Sequence, residues 1–524
     1  MSAILRAERG RILSNYARLF AGLVIGLVVT RLLLGAGDAL FGIYTTITIG
    51  MGVSIMLTEL LRMGIIPELG AHVYEGRIGD SDEFGNRLTA TFVISFCAAI
   101  LGGLVMWLLG LWLLSNQQSP ELERAAWVFL WLRIAMMLVV VTLTPAMSIL
   151  LVSGRQPVFN LFQFLERASE LVGVAVPIWL LSGSPSGAPE ILVRIGLGIA
   201  GLTSATHIAG ATFAFSLGPD FQPKGRLPRW SNLTPILRRI AWSSLQTISM
   251  NLYVRADILI VAAFAGPVGT VALAVALRLM GYVRQATMGV VNGLDAAFAN
   301  ISGQRRRGQQ SGADGVGDVG RRLIDTSTTL QACVIFHLVV IFLLLGPDVM
   351  MLWVGDVLIG TGSGSTVSEI TRLSTLMIVG MAVRSLSLGW MSAMTGNGNA
   401  RHFTPLLLPG AIANIGILTG WALFHPETFS VMVVGWVFLV LQLVTHGVVI
   451  PIASARSLGT GVADLFRPMV VPFALAAAAY GLGLVWESQA SSGMHGYLRV
   501  GVLVGLVAIS FMGSFAHTVW RRNT

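Results

Sequence analysis

The sequence predicts an all-α integral membrane protein, and three observations carry that prediction. The 524-residue chain is 54% hydrophobic and only 11% charged, too little polar surface to clothe a soluble protein of that length. Apolar runs of about 20 residues, enough to cross the hydrocarbon core as a helix, recur along nearly the whole chain. The basic residues are also sorted: in a fourteen-span topology, 24 of the 34 fall in segments on one side, five on the other and five inside spans. That asymmetry satisfies the positive-inside rule and places both termini in the cytoplasm.

Taken in order, span one (17–34) follows Arg6, Arg9, Arg11 and Arg18 and lacks a small-residue cleavage site. It reads as a retained helix rather than a signal peptide. Span two (40–61) closes on Glu59 and Arg62, three apart and spaced as a local ion pair. Spans three to six follow at 88–114, 125–152, 160–181 and 191–217, the fourth ending in Ser153-Gly154-Arg155. Residues 218–240 carry Pro219, Pro223, Pro228 and Pro235 before a basic stretch from Ile236 to Trp242, and read as a semi-rigid cytoplasmic linker. Spans seven to twelve occupy 241–265, 268–299, 323–345, 367–395, 403–424 and 431–453, and spans thirteen and fourteen 468–486 and 497–519. Ser302–Arg322 is a Gly-, Arg- and Asp-rich inside loop, and Gly346–Val367 is the longest outside segment.

The linker divides twelve spans into a six-helix lobe at 1–217 and another at 241–453, leaving 454–524 as a C-terminal two-helix hairpin. Both halves begin and end inside, so a repeat would be parallel, about an axis along the membrane normal. The Gly396-Asn397-Gly398-Asn399-Ala400-Arg401 end of span ten echoes the Gly-Arg end of span four. Cys97 and Cys333 both fall in spans and imply no disulfide framework. The net charge of +9 is accounted for by the inside segments and calls for no nucleic acid.

Arg133, Arg255, Arg278, Arg284 and Arg384 lie inside spans. A charge at that depth is costly and marks a wet, protein-lined pathway, and five of one sign point to an anion. Ser244, Thr247, Asn251 and Arg255 share one drifting face of span seven; Arg278, Gln285 and Asn292, seven apart, share a face of span eight. Arg278, Arg255, Arg133 and Arg384, with Asn251 and Gln285, are therefore the candidate substrate-binding residues. Arg284 lies near enough to the cytoplasmic end to snorkel. Asp257 and Asp295 are candidates for coupling to a proton or sodium ion, although for Asp257 pairing with a neighbouring helix ranks ahead of that role. His207, His337 and His446 each titrate near neutrality in the free state, and an interhelical hydrogen bond is the commoner role for them. No His/Cys metal spacing, Walker loop or nucleophile elbow occurs, and no long outside loop carries catalytic acids, which argues against an enzyme.

Several short motifs recur in a familiar order. They are Asn15-Tyr16, Leu34-Gly35, Phe41-Gly42-Ile43-Tyr44, Ala256-Asp257-Ile258-Leu259-Ile260, Gly266 and Gly269, and Ala276-Leu277-Arg278-Leu279. Gly346-Pro347, Leu352-Trp353-Val354-Gly355 and Asn414-Ile415 complete the series. Across roughly residues 15–450 the chain resembles the polysaccharide flippases of the multidrug/oligosaccharidyl-lipid/polysaccharide exporter superfamily. It departs from them at Thr270-Val271-Ala272, where an aromatic often follows the second glycine.

The resemblance implies two six-helix lobes around a central cavity and alternating access. The implied cargo is an undecaprenyl-diphosphate-linked oligosaccharide moved from the inner to the outer leaflet of the bacterial inner membrane for surface polysaccharide assembly. Bidentate arginine contacts would hold the diphosphate. The implied partners are that lipid-linked substrate, membrane lipids, and a polysaccharide polymerase and assembly proteins. No cofactor beyond a coupling proton or sodium ion is expected. The lipid II flippase is the second reading: Gly35-Ala36-Gly37-Asp38-Ala39-Leu40-Phe41 looks like that branch's first turn, and fourteen spans suit it. Gly26-Leu27-Val28 and Gly52-Val53-Ser54, however, lack its arginines. A drug exporter ranks third because the arginines oppose a cationic cargo, and a membrane polymerase or ligase is the rival of a different class.

Overall fold

The computed structural model describes residues 2–51, 53–74, 81–114, 119–181, 187–218, 221–224, 228, 230–291, 294, 298, 315–355, 367–397, 399–489 and 496–523. Every regular element among them is helical. Ten helical segments are long and apolar enough to cross a membrane, so the chain is a multi-pass membrane protein. They coincide with ten of the fourteen expected spans. The other four, 40–61, 160–181, 241–265 and 268–299, are helical wherever described apart from a bend at Met51 and a turn at Ala265, and each carries charged or polar side chains among its apolar residues.

The chain divides inside one helix into two compact units, the first running through Val271 and the second beginning at Ala272. In the first, α1 (Ser2–Gly35) turns through Gly37, whose φ of 121° is open to glycine and strained for other residues, into α2 (Asp38–Thr45). A π-helical turn at Thr46–Gly50 follows, then α3 (Val53–Tyr74), α4 (Ser81–Leu113) and α5 (Pro120–Thr142). α5 opens with proline in its first turn and with Glu121 and Glu123 on the positive end of its dipole. It breaks at Leu143 and resumes as α6 (Thr144–Val152), where Pro145 sits in the first turn. α7 (Gln156–Leu181), α8 (Ala188–Phe215) and α9 (Trp230–Phe264) complete the unit.

α5 packs on α4 and α8, α7 on α1 and α8, and α3 on α4, α6 and α9. In a bilayer such packing depends on close contact more than on hydrophobicity, and small residues permit it. α7 and α8 meet at Gly173 and Gly198: a methyl on Gly173 would lie 2.7 Å from the Ile199 backbone nitrogen, and one on Gly198 3.0 Å from Gly173 Cα. α9 begins at Trp230, so residues 230–240, expected in the linker, are already helix. Ile236 and Ile240 are buried, and Ile240 packs against Gly64 of α3, which holds this first part of α9 in helical register.

α10 (Gly266–Val291) crosses the boundary between units. The second unit continues with α11 (Gly315–Met350), which runs into a π turn at Met351–Gly355, and with α12 (Val367–Leu386) and α13 (Leu388–Gly396). Next come α14 (Thr404–Phe424), α15 (Val431–Gln442), a π-helical segment at Leu443–Val449 and α16 (Ile450–Leu458). The short α17 (Val462–Phe466) leads to α18 (Val470–Gln489) and α19 (Gly496–Asn523).

One arrangement occurs in both units. Span four is a 23-residue helix, a break and a 9-residue helix; span ten is a 20-residue helix, a break and a 9-residue helix. In each unit the broken span packs on the preceding span and on the one two further along. The hairpin α18–α19 packs on α11 through Val340, Leu344, Leu345, Ala476, Leu503 and Val507. A hydrogen bond of 2.8 Å between His337 Nε2 and Ser510 Oγ adds a polar fastening.

Candidate functional site

The first unit gathers a charged network on α1, α2, α3, α7 and α8. α7 supplies Gln163, Glu166, Arg167 and Glu170, whose spacings of three and four put them on one side of the helix. Glu170 accepts from the Tyr44 phenol at 2.7 Å and from Arg167 Nη1 at 3.3 Å. Glu166 accepts from Gln163 Nε2 at 3.0 Å and lies 3.8 Å from His207 Nε2 on α8. Arg62 of α3 stands over the Phe159 ring, 4.9 Å from its centroid, within electrostatic reach of Glu59 and Glu166. Arg18 of α1 is within reach of Arg62, Arg167 and Glu166.

Three arginines from three helices thus converge with three glutamates. The Nε atoms of Arg18 and Arg62 are buried and make no hydrogen bond among the described residues. The phenol, the amide and the two glutamates on α7 set the orientation of the network. The arginines keep donors available for an anion, which charge-assisted bonds would hold.

Glu59 and Arg62, expected as a local pair, are two members of this larger set. Sequence reasoning placed Arg18 and Arg167 among the inside-facing cations and gave Glu166 and Glu170 no role. The usable signal was an acid pair four apart, with an arginine between, inside an otherwise apolar stretch.

The remaining candidates are divided between the units. Arg133 is buried on α5, and its Nη1 lies 3.8 Å from Met136 Sδ. Asn251 is half-buried on α9, and Asp257, six residues on, is fully buried. The Arg255 side chain lies outside the described residues, as do those of Ser244 and Thr247. Asp295 and Asn292 also lie outside them.

In the second unit Arg278 and Gln285 are half-buried on α10, and Arg278 Nε is buried with no hydrogen-bond partner among the described residues. Arg284, six residues beyond Arg278, is also half-buried. Arg384, 2% exposed on α12, is a core residue whose charge reaches His446. Of the three histidines, His337 and His446 make interhelical hydrogen bonds, to Ser510 and Ser387. His207 bonds the carbonyl of Thr203 on its own helix at 3.1 Å.

Two surface recesses belong to the second unit and share no residue with the charged network. One of about 580 Å³ follows α14 past Gly416, Gly420, Trp421 and Phe424; one of about 440 Å³ is lined by Asp348, Met351, Thr371 and Arg372. The first is mainly apolar, with His425 and Thr428 at the end of α14 and just beyond it, and holds no arginine or lysine for an anion.

No protein-family model matches the sequence. No curated protein matches it either. Solved structures match its fold along most of its length. An outward-facing multidrug-resistance MATE family transporter of the MOP superfamily matches with a TM-score of 0.63 at 15% identity, over 87% of this chain and 96% of that one. The lipid II flippase MurJ in an inward closed conformation matches with a TM-score of 0.60 at 10% identity, over 98% of both chains. A MOP superfamily transporter from Pyrococcus furiosus, described as having a binding pocket of reverse polarity, matches with a TM-score of 0.58 at 14% identity, over 90% and 96%. The chain has the fold of the MOP superfamily transporters.

Proposed function

From that fold as the premise, we propose that the protein is a flippase rather than an enzyme. Its cargo is an undecaprenyl-diphosphate-linked oligosaccharide, moved by alternating access to the outer leaflet of the bacterial inner membrane for surface polysaccharide assembly. The observation that carries this reading is the convergence of Arg18, Arg62 and Arg167 within one helical unit. A diphosphate offers several anionic oxygens, and guanidinium groups on different helices can each engage one without a metal ion in between. The sugar is hydrated, and the polyprenyl tail is as apolar as the lipid around it. The headgroup charge is therefore the part of the cargo that needs a dedicated site.

Arg278, Arg255, Arg133 and Arg384, with Asn251 and Gln285, remain proposed substrate-binding residues of their respective units. Asp257 and Asp295 remain the proposed positions for a coupling proton or sodium ion. A polymerase and assembly proteins acting on the delivered glycan are the proposed partners.

Lipid II is the second reading. It is favoured by the match to MurJ over 98% of both chains, which takes in nearly all of this chain, the C-terminal hairpin included. Transport of the two cargoes by the purified protein in liposomes separates the readings. Preferential movement of the oligosaccharide lipid, with its glycan chemically unchanged, supports the first. Preferential movement of lipid II replaces it with the second, and a lengthened glycan points to a polymerase.

A further inference from the structure

Span ten is interrupted. α12 ends at Leu386, α13 begins at Leu388, and Ser387 between them turns both its N–H and its hydroxyl to the Arg384 carbonyl, at 3.2 and 2.8 Å. A helix break at membrane depth is tolerated only where protein or water surrounds it. Arg384, Ser385 and Ser387 belong to this one, and Gln331, Gln442 and His446 lie on elements packed against span ten; all six are 3% exposed or less.

Distances tie them together. Gln331 Nε2 donates to the Ser385 carbonyl at 3.3 Å, and a methyl on Gly389 would lie 2.6 Å from Gln331 Oε1, so that oxygen rests against the first turn of α13. Ser387 Oγ and His446 Nδ1 are 2.7 Å apart. A methyl on Gly435 would meet Leu373 and Leu376, one on Gly380 would meet Phe438 and Leu439, and one on Gly447 would meet Val383. α12 and the α15–π segment therefore run side by side in one direction. That register sets Gln442 opposite the stretch from Gly380 to Ser387.

Gln442 is fully buried, yet neither its Oε1 nor its Nε2 has a hydrogen-bond partner among the described residues; the same holds for Gln331 Oε1 and Ser385 Oγ. Buried amides and hydroxyls are normally satisfied, because leaving them unpaired forfeits their hydration with no return. The occupant must both donate and accept. A metal cation would satisfy only the oxygens and would stand beside Arg384, whose charge already reaches His446. An anion would satisfy Nε2 and leave two amide oxygens orphaned. Water does both.

We propose that the break in span ten is a built water site, with ordered water bound by Gln442, Gln331 and Ser385 next to the Ser387–His446 pair. Water-mediated contacts re-form at low cost when their partners shift. A wet break therefore acts as a joint within the second unit, placed where the π-helical segment at Leu443–Val449 already departs from regular helix.

Two measurements test the site. X-ray radiolysis converts bound water to hydroxyl radicals, so Trp390 and Met391, each only 1% exposed, should be labelled several-fold faster than the equally buried Met147 of α6. Labelling no faster than Met147 overturns the proposal. Gln442→Met keeps the volume and removes the amide. With water present the variant loses a few degrees in Tm and Met391 labelling falls; in a dry seam it removes an unsatisfied amide and Tm rises, which also overturns the proposal. If the variant does not fold, labelling of the unaltered protein decides.

Discussion

Tyr44 donates a 2.7 Å hydrogen bond to Glu170, joining the last turn of α2 to the middle of α7 across 126 residues of sequence. Tyr44 is fully buried and Glu170 is 17% exposed. It sits just before the π turn at Thr46–Gly50, so the bond fixes the charged network to the point where span two departs from regular helix. Glu170 in turn holds Arg167. One phenol thus positions a carboxylate, and that carboxylate positions a cation offered to the cargo.

Tyr44→Phe keeps the ring against Phe129 and removes only the hydroxyl. A hydrogen bond to a charged group contributes about 1.5–3 kcal/mol, so the variant should melt several degrees lower in detergent. In a double-mutant cycle with Glu170→Gln the two losses should fall short of additivity by at least ~0.5 kcal/mol. Additive losses would show that the bond carries no coupling.

Gly173 is needed for its lack of a side chain. Gly173→Val should destabilise by at least about 1–3 kcal/mol, the usual cost of overpacking, because the added atoms meet the α8 backbone. Gly201→Ala, where a methyl meets nothing within 4 Å, should be neutral or slightly stabilising. Fluorescence-detected gel filtration after heating distinguishes the two variants.

The C-terminal hairpin should depend on its polar fastening. His337→Ala and Ser510→Ala should each lower stability by about 1 kcal/mol, and the double variant by little more than either alone. Protease cleavage within residues 490–495 should rise in all three. An unchanged digestion pattern would mean that the apolar contacts of Leu344, Leu503 and Val507 suffice.

Arg278→Ala should impair translocation and leave membrane insertion and the melting temperature close to those of the unaltered protein, since Arg278 is half-buried and its Nε makes no hydrogen bond among the described residues. Quantitative transport in liposomes checks this, and full activity would remove Arg278 from the headgroup site.

The all-helical membrane fold was legible from apolar run length, because the bilayer fixes how long a spanning helix must be. Breaks were less so: Pro145, two residues past Leu143, is the signal in span four, while span ten offers only Gly389, two residues past Ser387, and a lone glycine does not by itself stop a helix. The candidate site was legible as a class of residue, intramembrane arginine, and less so as a set. Arg18 and Arg62 stand near span ends, where charges ordinarily serve topology, and Arg167 stands inside span five beside two glutamates, as a local ion pair would. Only the packing of α7 on α1 shows that they converge. Arg384, a candidate by its position inside span ten, is 2% exposed in the second unit, where its charge reaches His446.

The most direct test of the central claim is translocation of a labelled undecaprenyl-diphosphate oligosaccharide in liposomes by the unaltered protein and by Arg62→Ala. Arg62 adds its charge to a network that Tyr44, Gln163 and Arg167 already orient, so the variant should fold. Its rate should fall by about tenfold or more, the loss expected when a desolvated contact to a charged group is removed. Equal rates in the two proteins, or no translocation by the unaltered one, would contradict the claim that the arginine cluster of the first unit carries the anionic headgroup.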